Sequence, residues 1–267
     1  MSRRTTKSSL KNFLLVTVTV VGVGYFIIDY FPQFKRQDNA QISHDLNEEK
    51  IKELARVVAK EVVEDFIRDH PEEIISSVEA MQKKKFEERA QQVSSLIKQN
   101  LPALQNKATG AVQGQVNNPK HIIVHFYDYN CGYCKSAADM IKKVAENHKN
   151  VLIIFRDLPI LGPNSIQLAK IAGGVKKYKP ENYAKFYYEL FEQADKSADN
   201  IKALAVNFGV DKQQLEEYLT SSEAQNYVNL NQEIAKKVQV MGTPFIVVND
   251  HVYHNPLSYD AIKSELK

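Results

Sequence analysis

The chain is 267 residues long, with two cysteines, no tryptophan and a net charge of +3 from 35 basic and 32 acidic side chains. That length allows one or two domains and a core large enough to need no disulfide staples. Apolar residues at 43% and charged ones at 25% exclude a disordered, collagenous or polytopic membrane chain, and two cysteines are too few for a stapled secreted scaffold.

The excess charge sits at one end. Residues 1–40 carry six Lys/Arg and two acids, so the remaining 227 hold 29 basic and 30 acidic groups and present no electrostatic footprint for nucleic acid. Asn12 to Ile28 is a charge-free run of 17 residues preceded by Arg3, Arg4, Lys7 and Lys11, the pattern of an export signal. It is short for a bilayer span and long for a signal-peptide core. No alanine precedes Ala40, so an Ala-x-Ala cleavage site is missing. The reading is an uncleaved signal-anchor over residues 12–31 within an N-terminal region 1–40, with a cleaved signal peptide and a soluble product as the alternative. Positive-inside bias then sends the body to the periplasm or another extracytoplasmic space, where disulfides form.

Residues 41–106 read as a helical extension. No glycine occurs from Tyr25 to Thr109. Ile51, Leu54, Val58, Val62 and Phe66 recur at spacings of three and four, an amphipathic stripe. His70-Pro71 interrupts it and opens a second helix carrying Ile74, Ile75, Val78, Met81, Phe86, Val93 and Ile97, with a polar stretch at 82–89. Such a stripe packs on the downstream domain or on copies of itself. The position beside the anchor favours self-association, without the clean heptads of a regular coiled coil.

From residue 107 the texture becomes α/β. Gly110, Gly114 and Pro119 read as turns, His121–Tyr129 as a strand of β-branched and aromatic residues, Gly132–His148 as a helix and Val151–Phe155 as the next strand, a parallel unit. Residues 164–240 form a helical insertion whose Tyr178, Tyr183, Tyr187 and Tyr188 read as core. Strands at Phe245–Val248 and His251–Tyr253, joined by an Asn249-Asp250 turn, and a helix over 258–266 close the chain.

Both cysteines lie in Asn130-Cys131-Gly132-Tyr133-Cys134, where the first strand meets its helix. Asn130 is a candidate helix cap. Cys131 falls in the first turn, where free N–H groups and the dipole favour thiolate. Cys134, one turn on, resolves the mixed disulfide that Cys131 forms, while Gly132 and Tyr133 shape the loop. A zinc half-site lacks partner ligands, and a structural disulfide closing so short a loop adds little stability. Binding of copper or another thiophilic metal by the two thiolates is the alternative function.

Three blocks carry a resemblance: Asp128-Tyr129-Asn130-Cys131-Gly132-Tyr133-Cys134-Lys135, then Leu158-Pro159-Ile160-Leu161-Gly162-Pro163-Asn164-Ser165, then Gly242-Thr243-Pro244. Together they resemble the DsbA-like family of thioredoxin-fold disulfide oxidoreductases over residues 107–267. Within it the chain looks most like members with an N-terminal helical extension, such as the suppressor of copper sensitivity protein C. The resemblance implies a thioredoxin fold with a helical insertion and a redox-active Cys131–Cys134 pair with no dissociable cofactor or metal. It implies a cis-proline at Pro244, with Thr243 pairing the substrate backbone, and protein substrates bearing cysteines. A membrane redox partner and a homo-oligomer, trimer or dimer, are further implications. Thr243 before the proline and Gly-Tyr between the cysteines look more like isomerase and reductase members than strong oxidases. Where relatives place an acid on the first strand, this chain has His125, whose neutral imidazole is a candidate proton acceptor; a strand histidine with a satisfied hydrogen bond is the competing reading. Asp128 is the candidate substitute acid.

Overall fold

The computed structural model describes residues 48–253 and 258–266. The apolar run at 12–28, and with it the anchor and signal-peptide readings, lies outside them. No helix among the described residues is long and apolar enough to cross a membrane.

The chain divides into two compact units between Val78 and Glu79. In the first, helix α1 (Glu48–Asp69) buries no residue. Leu54, Val58, Val62 and Phe66 stand exposed along it, so the predicted stripe is present and uncovered. Its last turn closes on the His70 N–H, which donates to the Phe66 carbonyl at 2.9 Å. Helix α2 (Pro71–Leu104) starts at the expected proline with Glu72 and Glu73 in its first turn, where carboxylates face the positive end of the dipole.

The second unit begins at Glu79, inside α2, whereas the sequence reading ended the extension at residue 106. The cause is burial: Val93, Ile97 and Leu104 of α2 lie in the same core as the sheet residues Val124, Phe126, Leu152 and Ile154. The C-terminal part of α2 therefore belongs to the domain.

Five strands form one sheet in the order β1-β3-β2-β4-β5. They are β1 (Ala111–Gly114), β2 (His121–Tyr127), β3 (Val151–Asp157), β4 (Phe245–Val248) and β5 (His251–Tyr253). β2 and β3 run parallel around helix α3 (Gly132–Asn147), and the other pairings are antiparallel. The period of two in a strand divides its side chains between faces. Ile123, Tyr127, Ile153 and Phe155 join α3 and the insertion in one core, while Val124, Phe126, Leu152 and Ile154 meet α2 in the other. Cover on both faces explains why every residue of β3 is buried.

Strand β1 is a correction, because Gly110 before it and Gly114 at its end had read as turns. Gly114 carries φ +97°, and a Cβ there would lie 2.3 Å from the Val151 carbonyl oxygen, so glycine is what lets this edge strand lie against β3. The insertion comprises α4 (Pro163–Tyr178), a 3₁₀ turn at Pro180–Asn182, α5 (Tyr183–Glu192), α6 (Ala198–Asn207), α7 (Lys212–Thr220) and α8 (Ser222–Lys237). Ser197 and Asp211 cap α6 and α7 through their side-chain oxygens. Asn249 in the β4–β5 turn has φ 58°, as that turn requires. Helix α9 (Tyr259–Glu265) packs on α3.

Arg156 is fully buried on β3. Its guanidinium donates to the carbonyls of Ala103, Leu104 and Asn106 at 2.9–3.1 Å and to the Thr109 hydroxyl at 2.8 Å. The carbonyls at a helix C-terminus lack intrahelical partners, and Arg156 satisfies those of α2 while tying the helix to the sheet.

Candidate active site

Cys131 sits at the N-cap position of α3 with extended backbone angles and makes no side-chain capping bond. Its N–H donates to the Asp128 carbonyl at 3.0 Å, and its own carbonyl receives the Cys134 N–H at 3.1 Å. Asn130 does not cap the helix. Its amide donates instead to the Ser165 hydroxyl at 2.9 Å, and Cys131, one residue on, takes the N-cap position.

The two thiols are free and differently placed. Cys131 is partly exposed and Cys134 fully buried. Burial pushes the Cys134 thiol well above its ordinary pKa, since the thiolate loses its hydration there. The Cys131 thiol donates to the Thr243 carbonyl at 3.3 Å. Thr243 lies just before β4, outside the paired register that begins at Phe245, and its bond to Pro244 is cis. Residues 112 positions apart are thus brought together at one end of the sheet. Tyr133 between the cysteines is 74% exposed and Met241 75%, with Ile160 and Leu161 also exposed in the loop after β3.

Asp128 holds this end of the sheet in shape. Its buried carboxylate accepts from the Asn130 N–H and the Ser165 hydroxyl on one oxygen, each at 2.8 Å, and from the Ile160 and Leu161 N–H groups on the other, at 2.8 and 3.0 Å. The donors come from the cysteine loop, the loop after β3 and the first turn of α4. The geometry makes Asp128 the knot joining the cysteine loop to the loop after β3.

His125 is fully buried, its Nδ1 is 3.0 Å from the Tyr187 hydroxyl, and its Nε2 has no partner among the described residues. Desolvation lowers it to about 3, so the ring is neutral near pH 7.

Several residues near this end escaped the sequence reading. Lys196 donates to the Tyr129 carbonyl at 2.7 Å and lies 5.4 Å from the Phe191 ring centre, with desolvation lowering its pKa. Asp157, at the end of β3, is buried and accepts from the Tyr183 hydroxyl at 2.8 Å and from Tyr227. Tyr183 in turn bonds Tyr127 at 2.7 Å. Burial raises Asp157 to about 6 and pushes Tyr127, Tyr183 and Tyr227 upward as well. Ser165 was legible only as part of the Leu158–Ser165 block; a lysine in a loop and an aspartate at a strand end carry no local signature. Among the described residues no group of three or more His, Cys, Asp or Glu is placed to hold a metal ion.

A partly exposed thiol paired with a buried one, at the start of the helix that follows the first parallel strand and against the Thr243 carbonyl, defines a thiol–disulfide exchange protein of thioredoxin fold. A thioredoxin family model matches residues 106–267, and the chain belongs to that family, among its DsbA-like oxidoreductases. Disulfide bond formation protein D of Bacillus subtilis is 28% identical over 165 residues, covering 54% of this chain and 70% of that protein. The thiol-disulfide exchange protein alpha-DsbA2 from Wolbachia pipientis aligns with a TM-score of 0.61 and 25% identity over 67% of this chain and 96% of its own. A linker-deletion mutant of Proteus mirabilis ScsC shares the fold over 83% of this chain and 95% of its own, with a TM-score of 0.62 and 22% identity.

Proposed function

We propose that this chain is an exported protein disulfide reductase or isomerase in which Cys131 is the nucleophile and Cys134 the resolving thiol. The supporting observation is the asymmetry of the pair: Cys131 is partly exposed and Cys134 is fully buried. The Cys131 thiolate attacks a substrate disulfide, forming a new S–S bond and expelling one substrate thiolate. A second thiolate then breaks the mixed disulfide. When it comes from the substrate, the bond is rearranged with no net electron transfer. When it is Cys134, having released its proton to the expelled thiolate or to water, the enzyme leaves oxidised and the substrate reduced by two electrons. No dissociable cofactor enters either route, although net reduction needs a dithiol partner to restore the pair, and a membrane protein is the expected one.

Thr243 and Pro244 form the substrate clamp, since the Thr243 carbonyl already lies 3.3 Å from the Cys131 sulfur and the residue pairs with no strand. The uncovered stripe of α1 is the self-association surface of a homo-oligomer, and the basic, apolar N-terminus is the export segment. Trapping tests the assignment. The Cys134→Ser variant accumulates mixed disulfides with cysteine-containing client proteins, linked through Cys131, and the Cys131→Ser variant accumulates none. Trapping by the latter alone would reverse the roles.

A further inference from the structure

Beside the Thr243–Pro244 bond lies an open groove of about 380 Å³, lined by Phe86, Arg89, Ala90 and Val93 from α2 and by Met241 to Phe245 and Tyr253 opposite. The α2 residues follow the spacing i, i+3, i+4, i+7 and so share one helix face. Further along, that face enters the core through Val93, Ile97 and Leu104. At Phe86 to Ala90 it forms one wall of the groove. Arg156 fixes the other end of the same helix.

Arg89 is the one charged side chain in the lining. It is exposed and makes no ion pair or hydrogen bond among the described residues. Arg89 thus brings a positive charge with no carboxylate paired to it among the described residues to a groove that borders Thr243, the residue whose carbonyl receives the Cys131 thiol. Resting on the exchange reading above, we infer that Arg89 is a specificity residue: it selects extended polypeptide segments that carry an acidic side chain close to their reacting cysteine. Such a segment, laid along Thr243 to reach Cys131, sends the side chains flanking its cysteine into the groove, because alternate residues of an extended chain face the same way. A carboxylate there meets Arg89, whereas a lysine meets like charge.

The test uses the full chain with Cys134→Ser, its Cys131 loaded as a mixed disulfide with thionitrobenzoate. Single-cysteine peptides bearing Glu, Gln or Lys at each position flanking the cysteine attack Cys131, and the released chromophore reports the rate. Each rate is normalised to that peptide's reaction with the free nitrobenzoate disulfide, which removes differences in thiol acidity. The inference predicts that at one flanking position Glu reacts about fivefold faster than Lys at low salt. The preference vanishes in Arg89→Ala, inverts in Arg89→Glu, and shrinks as ionic strength shortens the Debye length. Mercaptoethanol, which does not fill the groove, reacts equally with all three proteins. Equal normalised rates for Glu and Lys peptides at every position, or a preference that survives Arg89→Ala, would overturn the inference while leaving exchange at Cys131 intact. No chromophore release even with mercaptoethanol would remove the exchange reading and this inference together.

Discussion

Asp157 offers the sharpest test of the electrostatics beneath the site. Its carboxyl is buried at the end of β3, held by the Tyr183 and Tyr227 hydroxyls, with its other oxygen unpartnered among the described residues. Burial raises it from 3.8 to about 6, so desolvation outweighs the two hydrogen bonds. A carboxyl raised in the folded state binds its proton more tightly there than when unfolded. Its contribution to stability is fully present below pH 3.8 and is lost as pH rises through 6. A shift of this size corresponds to about 3 kcal/mol at 1.36 kcal/mol per pK unit. Asp157→Asn keeps an acceptor for the tyrosines and removes the titration. Urea unfolding of both proteins from pH 4 to pH 8 isolates the effect as a difference. Relative to wild type, the asparagine variant gains up to about 3 kcal/mol across that range, with most of the change between pH 4 and 6.5. A flat difference, or one that favours wild type as pH rises, would mean that the tyrosines stabilise the carboxylate enough to cancel its burial.

Four further outcomes follow from the same contacts. Asp128→Ala strands the N–H groups of Asn130, Ile160 and Leu161 and the Ser165 hydroxyl; it lowers unfolding free energy by about 1–3 kcal/mol or more and slows exchange by loosening the cysteine loop, read by denaturation and by thiol reactivity. His125→Leu leaves the pH dependence of exchange between pH 6 and 8 unchanged, because the wild-type ring is already neutral there. Since His125 is lowered to about 3 when folded, wild type loses stability relative to this variant as pH falls from 6.5 towards 3, measured by the same urea titration. Arg156→Met frees the carbonyls at the end of α2 and costs about 1–3 kcal/mol, with faster amide exchange in Leu101–Gln105 than elsewhere in the domain. With limiting iodoacetamide at pH 7, peptide mapping of the reduced protein finds label on Cys131 at least about tenfold over Cys134, because reactivity follows thiolate content and access.

Much of the fold can be read locally. His121–Tyr127 is β-branched and aromatic enough to be a strand on composition alone, Pro71 marks where a helix starts, and Asn249-Asp250 marks the β4–β5 turn. What escaped depends on partners distant in sequence. Ala111–Gly114 is too short and glycine-bounded to look like a strand, and becomes one only by pairing with β3. Asn130 follows the capping rule in its own segment but loses its side chain to Ser165, 35 residues away. Arg156 and Asp157 sit where residue-type preferences expect solvent, since charged groups are rarely buried unless they are fully partnered. The polar stretch at 82–89 offers no local sign of a groove, yet Phe86 and Arg89 line one with Met241, Phe245 and Tyr253, which are distant in sequence. In the site itself the cysteine pair stands out by its spacing and residue type, and Thr243-Pro244 only through the family resemblance. The surroundings of His125 and Asp128 could not be read, because each turns on burial and on hydrogen bonds supplied by other elements.

The central claim is that this pair rearranges protein disulfides through Cys131, and the most direct measurement is recovery of activity by scrambled ribonuclease incubated with the full chain in a glutathione buffer. The account predicts recovery well above the buffer alone, abolished by Cys131→Ser. Recovery no faster than buffer, or undiminished in Cys131→Ser, would contradict it.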